Sequence, residues 1–244
     1  MSRIEIFIPA FDETTNLQSL VPELLQIVAD INAHSFLVNI VVRQDESDLE
    51  IERIKKLSVN VIVRRPNNNF GSAIKTAVDS IGIDTDYVLF MDADGSHNPT
   101  RIPDLVTAIL KNDADIVVAS RYIEGGKTEN PFVLILLSRI LNWIFALVIG
   151  VDCRDISTNY KIYRASILRG IVLKSSNFDV IEELLFLINS KKGRDIRILE
   201  IPDHFERRKH GDSKRKLSVF IASYIITLIK LRLRVRRENS SLWG

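Results

Sequence analysis

The sequence predicts an α/β domain built on a mostly parallel sheet with helices on both faces. Three observations predict it. Five short apolar segments rich in β-branched residues, at 4–9, 36–42, 59–63, 87–91 and 115–119, alternate with helical spacing at 16–30, 71–81 and 102–111. The strand segments are near-continuously apolar, as in a sheet covered on both faces. With 244 residues, 46% apolar and 26% charged, the chain is long enough and ordinary enough in composition to bury one such core.

Each strand segment delivers polar residues where it ends, and open α/β sheets bind ligands beyond the carboxyl ends of their strands. Pro9-Ala10-Phe11-Asp12-Glu13 follows the first, Arg43-Gln44-Asp45 the second and Asp92-Ala93-Asp94 the fourth. No G-x-G-x-x-G follows the first strand and no P-loop occurs, which argues against a dinucleotide or Walker-type site. Asp92 and Asp94, at i and i+2 after a buried strand, can share a divalent cation that also binds a diphosphate. The competing reading makes them a helix-capping run ahead of a helix near Thr100. Pro9, Phe11 and Glu13 can hold a nucleotide base by stacking and hydrogen bonds, or serve only as a helix-entry turn.

The second half differs. Residues 131–151 form a long apolar run whose polar members Ser138, Arg139 and Asn142 share one helical face. A charge there is costly unless it is paired or reaches water. Arginine's planar fork suits phosphate, so Arg121, Arg139 and Arg208, with Ser138 and Lys214, are candidate phosphate ligands. The run is long enough to span a bilayer, but Arg139 favours embedding in the surface. A second apolar run, 217–229, is too short to span. It leads into a basic tail, and 207–237 carry a net charge of +10 against −7 for 1–206. That asymmetry predicts an anionic membrane as partner of the tail. Nucleic acid is not expected, because the basic residues alternate with aliphatic ones rather than stacking aromatics. The expected organisation is a catalytic domain at 1–214 and a membrane-associating segment at 215–244. The single cysteine, Cys153, and an N-terminus without a signal-peptide pattern predict the cytoplasmic face of the membrane.

Seven motifs, in order over most of the chain, resemble glycosyltransferase family 2, and within it the dolichol- or polyprenol-phosphate mannose synthases. Pro9-Ala10-Phe11-Asp12-Glu13 with Asn16-Leu17 resembles P-x-Y-N-E…N-L, and Asn69-Phe70-Gly71 with Ala73 resembles N-x-G…A. Asp92-Ala93-Asp94-Gly95-Ser96-His97-Asn98-Pro99 resembles D-A-D-x-S-H-x-P. Ser120-Arg121-Tyr122 with Gly125-Gly126 resembles S-R-Y…G-G, and Ser138-Arg139 with Asn142 resembles S-R-x-x-N. Asp155 with Thr158-Asn159-Tyr160-Lys161 resembles D-x-x-S-G-F-K, and the stretch from Ile198 to Lys214 resembles I-x-E-V-P-x-x-F-x-x-R-x-x-G-x-S-K.

The resemblance implies a GT-A fold and an inverting transfer from a nucleotide-diphosphate sugar, GDP-mannose or a UDP-hexose, to polyprenyl or dolichyl phosphate. It implies Mg²⁺ or Mn²⁺ on Asp92 and Asp94. Pro9, Phe11, Glu13, Gln44, Asp45, Gly71, Ala93, Asp94, Arg208 and Lys214 are the implied donor-binding residues, and Arg121, Ser138 and Arg139 the acceptor-phosphate residues. Arg139 is counted with Asp92 and Asp94 as catalytic. A membrane subunit or a second copy of the chain are protein partners left open. Three departures stand out: Arg43-Gln44 where the pattern has two acids, Asp12 for Asn and Asn159 for Gly. Two other readings stay open. One is transfer to a glycan hydroxyl, with Asp155 as general base; the other is a non-catalytic subunit marked by Arg43-Gln44.

Overall fold

The structure is a computed structural model that describes residues 1–64, 68–193 and 195–206. The first half reads β1 (Ser2–Pro9), α1 (Thr14–Ala29), β2 (His34–Val42), α2 (Asp48–Lys55), β3 (Asn60–Val63), α3 (Phe70–Asp79), β4 (Tyr87–Phe90), α4 (Ile102–Lys111) and β5 (Ile116–Ser120). All five expected strands and all three expected helices lie within it. There follow β6 (Lys127–Thr128), α5 (Phe132–Ile149), β7 (Lys161–Arg164), α6 (Ala165–Leu168), α7 (Val180–Lys191), β8 (Ile198–Pro202) and β9 (His204–Phe205). The seven-stranded sheet has the order β3-β2-β1-β4-β7-β5-β8, and β6 and β9 form a separate parallel pair. Every neighbour in the large sheet is parallel except β7, which runs antiparallel to both β4 and β5.

Pleating divides the core between two faces. Ile4, Ile6 and Ile8 of β1 with Leu89 of β4 pack against Leu17, Leu20 and Leu24 of α1 and Leu105 and Ile109 of α4. Phe7, Val88 and Phe90 point the other way, toward Ala73 and Ala77 of α3, Phe145 of α5 and Leu184 and Leu185 of α7. Glu5 sits in β1 on that second face, 2% exposed. Its carboxylate accepts from Asn39 Nδ2 at 3.2 Å, the Gly82 N–H at 3.0 Å and the Thr85 hydroxyl, so the buried acid is satisfied.

The apolar run at 131–151 is α5, ended by Gly150 in the left-handed region at φ 78°. Its buried residues, Asn142, Phe145 and Ile149, all lie in its second half. Burying Phe145 and Ile149 contributes about 1.5–3 kcal/mol each, which docks that half. Phe132, Val133, Leu136, Ile140, Trp143 and Leu147 form an exposed apolar stripe. Cys153 is buried as expected, and burial pushes its thiol pKa up. The segment 215–244 and the start of the basic tail lie outside the described residues, as do Arg208 and Lys214.

Gly71 opens α3 and donates its N–H to Ser176 O at 2.9 Å. A Cβ there would stand 2.2 Å from Ser175 O and 2.7 Å from the Ser176 backbone. The contact atoms are main chain and cannot swing aside. Gly71→Ala is therefore expected to cost at least about 1–3 kcal/mol, the scale of overpacking, read as a lowered urea midpoint with an unchanged m-value.

Candidate active site

The order of strands reverses between β1 and β4, and the two richest motifs emerge on either side of that crevice. Asp92 and Asp94 follow β4. The Asp92 N–H donates to His97 Nδ1 at 2.9 Å, and Asp92 Oδ1 accepts from Asn159 Nδ2 at 3.0 Å. The acceptor role of Nδ1 places the His97 ring proton on Nε2. His97 is 2% exposed, its ring stacked on Tyr160 at 4.8 Å and edge-on to Phe205 at 5.7 Å. Asp94, 5% exposed, accepts from the Ser96 N–H at 3.0 Å and the Ser96 hydroxyl at 2.5 Å through one oxygen. The capping of the following turn falls to Asn98, which accepts from Thr100 N and Oγ1, so the aspartates are not its caps. Ala93, between them, is buried in the apolar core.

Carboxylate oxygens suit a hard divalent cation, and Mg²⁺-type sites use one or two of them and complete the shell with water and substrate phosphate. Asp92 and Asp94 fit that requirement. Among the described residues no three His, Cys, Asp or Glu side chains converge on one point, so no closed protein cage of the zinc type is present there.

The ends of β1 and β2 form the neighbouring wall. Phe11 lies under the guanidinium of Arg43, 5.0 Å from ring centroid to Cζ. Arg43 pairs with Asp12 at 3.1 Å, Asp45 at 3.4 Å and Glu46 at 3.7 Å. Asp12 has φ 54°, in the left-handed region that Asp and Asn adopt more readily than other residues, which explains how Asp replaces Asn there. Gln44 donates its N–H to Asn68 Oδ1 at 2.8 Å, and Asn68 Nδ2 donates to Asp45 at 2.6 Å. Glu13 accepts from Asn16 Nδ2. Pro9 is buried at the end of β1. Gly71 packs against Ser175 and Ser176, with its N–H already used.

Beneath this wall is Arg64, which sequence reasoning missed. It is 2% exposed and donates to the carbonyls of Ala10, Val41, Val42, Asn68 and Asn69. Burial, followed by the charge of Arg43, lowers its pKa to about 10, so it stays protonated at neutral pH. One cation thus ties the loop after β1, the end of β2 and the loop before α3. The only trace in the sequence is an arginine directly after an apolar strand.

On the other side of β4, Arg121 directly follows β5. Its Nε and Nη2 donate to the two oxygens of Asp155 at 2.7 and 2.6 Å, and its backbone N–H adds a third bond at 2.9 Å. Asp155 is fully buried. Burial alone would raise its pKa, but the charge and hydrogen bonds of Arg121 outweigh it and hold the carboxyl below the usual range. Arg121 also donates to Ser157 Oγ at 3.1 Å, and the Ser157 N–H donates to Asn142 Oδ1 at 2.8 Å. Asn142 Nδ2 reaches back to Ser138 O at 2.9 Å. The guanidinium of Arg139, exposed on α5, lies 5.3 Å from the Tyr122 ring centroid, and that of Arg121 lies 4.9 Å from it. Arg121, Ser138 and Arg139 therefore come together, and the arginine in the apolar run reaches water.

Residues 5–172 match the profile of glycosyl transferase family 2, more than half of the chain. The chain belongs to this family. Family membership agrees with the motif order and the strand-end carboxylates. The chain is 32% identical over 222 residues to the dolichol-phosphate mannosyltransferase of Pyrococcus furiosus, matching 88% of this chain and 59% of that protein. It is 30% identical to the undecaprenyl-phosphate mannosyltransferase of Micrococcus luteus, over 75% of this chain and 74% of the relative. A third relative, the polyprenol monophosphomannose synthase of Mycolicibacterium smegmatis, is 30% identical over 64% of this chain and 59% of its own length. The chain thus spans about three-fifths of the length of the first and third relatives. Among solved structures, glucosyl-3-phosphoglycerate synthase from Mycobacterium tuberculosis in complex with Mn²⁺, UDP and glucosyl-3-phosphoglycerate superposes with a TM-score of 0.69. That match has 19% identity and covers 94% of this chain and 80% of the other. The family 2 chain accordingly has the GT-A fold.

Asp155→Asn removes the buried charge that pairs with the half-buried Arg121 and is expected to cost about 3–5 kcal/mol at pH 7. The folded carboxyl titrates below its unfolded value of about 3.9, so the pair's contribution is present above that pH and fades as pH falls through the lower, folded value. Urea melts from pH 7 to pH 3 should show the gap between wild type and variant shrinking only below about pH 4. A gap that stays constant with pH would remove the charge from the explanation.

Proposed function

We propose that this chain is an inverting glycosyltransferase that moves a hexose from GDP-mannose or a UDP-hexose to polyprenyl or dolichyl phosphate at a membrane surface. The observation that carries the reading is the convergence of Arg121 and Arg139 on the Tyr122 ring, joined through Asp155, Ser157 and Asn159 to the carboxylate of Asp92. In this reading the Arg121–Arg139 cluster serves one phosphate, with Arg139 bringing the charge that no Asp155 pairing offsets, and the Asp92/Asp94 pair holds the cation of the other. The names of the three relatives, all mannosyl transferases or synthases of polyprenol-type phosphates, point the same way.

In this reading Asp92 and Asp94 hold Mg²⁺ or Mn²⁺, which supplies charge compensation to the diphosphate leaving group. Phe11, Glu13, Gln44 and Asp45 line the nucleotide end, and Arg208 and Lys214 contact donor phosphates. Arg121, Ser138 and Arg139 position the acceptor. A phosphomonoester, with its second pKa near about 6, is already largely dianionic at neutral pH and needs no general base. Its oxygen attacks the anomeric carbon in line as the bond to the diphosphate breaks, so configuration inverts. The glycan-hydroxyl reading would make Asp155 the base. Both its oxygens are taken by Arg121 and it is fully buried, which speaks against that role.

The assay is transfer of label from GDP- and UDP-sugars to polyprenyl phosphate, followed by extraction into organic solvent. Label should enter the lipid phase with Mn²⁺, vanish with EDTA and be abolished by Asp94→Ala while the circular dichroism stays native. Nucleotide binding without lipid labelling would favour the glycan-hydroxyl reading. No nucleotide binding would favour a non-catalytic subunit.

The same proposal places α5 in the membrane interface, on the cytoplasmic face. Among the described residues α5 is the one helix long and apolar enough to cross a membrane. Its 18 residues reach about 27 Å, short of a bilayer core of about 30 Å. The exposed stripe, Trp143 at its middle and Arg139 on its flank suit a surface-embedded helix. Trp143→Glu should reduce co-flotation with anionic vesicles several-fold without changing the thermal midpoint; unchanged flotation would take α5 out of the interface.

A further inference from the structure

We infer that Asn159 is a positioning residue for the cation-binding carboxylate: by donating to Asp92 Oδ1 it reserves Oδ2 for the cation. The inference rests on the reading of Asp92 as a cation ligand given above. Asn159 is 7% exposed, and its Nδ2 lies 3.0 Å from Asp92 Oδ1. A carboxylate can only accept, so the amide must present its nitrogen, and the orientation of the side chain follows. The backbone of Asp92 is fixed independently by His97 Nδ1 at 2.9 Å, and His97 is itself clamped between Tyr160 and Phe205. Oδ2 stands 3.9 Å from His97 Nε2, beyond hydrogen-bond range. One oxygen is therefore engaged by a neutral donor, which brings no positive charge to the carboxylate. An arginine or lysine in the place of Asn159 would neutralise the carboxylate's charge.

The support behind Asn159 is rigid. Lys161, fully buried, donates through Nζ to Ile156 O at 2.8 Å and to Thr158 O. Asp155 is clamped by Arg121, and its own backbone N–H reaches Glu200 at 3.1 Å. The Ser157 N–H is held by Asn142, and the Tyr160 hydroxyl donates to Asn98 O at 2.8 Å. Almost every residue of 155–161 has a tie, so Asn159 meets Asp92 from a fixed platform rather than by a mobile contact. The resembling family pattern has Gly at this place, and Gly has no side chain to reach the carboxylate. The departure from that pattern thus falls on a neighbour of the cation site.

The test is Mn²⁺ binding by the full chain, read from the EPR signal of free Mn²⁺, with Mn²⁺ alone and then with GDP or UDP. Wild type is compared with Asn159→Ala and Asn159→Gly, and each protein is checked for cooperative urea unfolding. Partners of this kind typically set metal affinity by about 10–100-fold. Both variants should weaken Mn²⁺ binding by a factor in that range while unfolding cooperatively, and the Mn²⁺ concentration for half-maximal transfer should rise in parallel with the KM for lipid unchanged. Wild-type Mn²⁺ affinity in the folded variants would overturn the inference and leave the reading of Asp92 standing. Loss of binding that tracks loss of cooperative unfolding in both variants would assign Asn159 to the fold and overturn it as well. Failure of wild type itself to bind Mn²⁺ with either nucleotide would overturn the reading of Asp92 and the inference together.

Discussion

The bidentate pair between Arg121 and Asp155 is the constraint on which both halves of the site depend. It joins the end of β5 to the loop that leads into β7, and that loop serves two masters. Ser157 faces α5 through Asn142, and Asn159 faces the end of β4 through Asp92. A fully buried carboxylate is costly to desolvate, and a pair of this kind adds stability only when its remaining hydrogen-bonding capacity is filled. Here three donors from one arginine fill it. The return is geometric: two strands that are not consecutive in the chain are held with their polar ends at fixed separation.

The wall around Phe11 has the same design with the charges exchanged. A buried cation, Arg64, collects backbone carbonyls from the loop after β1, the end of β2 and the loop before α3, and a second, Arg43, collects carboxylates above it. Carbonyl oxygens in loops and at strand ends are expensive to bury with their acceptor capacity unfilled. A guanidinium with five donors can satisfy several of them at once. The loops after β1 and β2 are therefore fixed around Phe11 without any ligand bond being needed to order them.

The first half of the fold was legible because its strands are apolar on both faces and its helices have a clean period. The second half was less so. β7 begins with Lys161 and ends with Arg164, a pattern that hydrophobicity would assign to a surface. Lys161 is nonetheless buried, because its ammonium closes the carbonyls of the loop before it, and burial lowers its pKa while neighbouring acids oppose that shift. Gly71 was singled out from a motif for ligand binding, and its geometry gives a packing reason for the glycine. Asp92, Asp94, Arg121, Ser138 and Arg139 stood out as residue types suited to phosphate and cation chemistry. Arg64 did not, and Asn159 stood out only as a departure from a motif, because their significance lies in what they touch: main-chain oxygens from five other residues, and one oxygen of another side chain.

The antiparallel strand also has a kinetic side. β7 enters between β4 and β5 from far along the chain, pairing Phe90 with Lys161 and Val118 with Lys161, and the pairings of Ile4 with Tyr87 and Ile116 with Ile198 are as distant in sequence. Contacts of high sequence separation bear the largest loop-closure entropy. The loop carrying Asp155, Ser157 and Asn159 arrives with β7. The platform that orients Asp92 and Arg121 is therefore complete only when several distant pairings of the sheet have closed together. On the proposed function, the donor and acceptor sides would thus be completed by the closing of one sheet rather than as two separable modules.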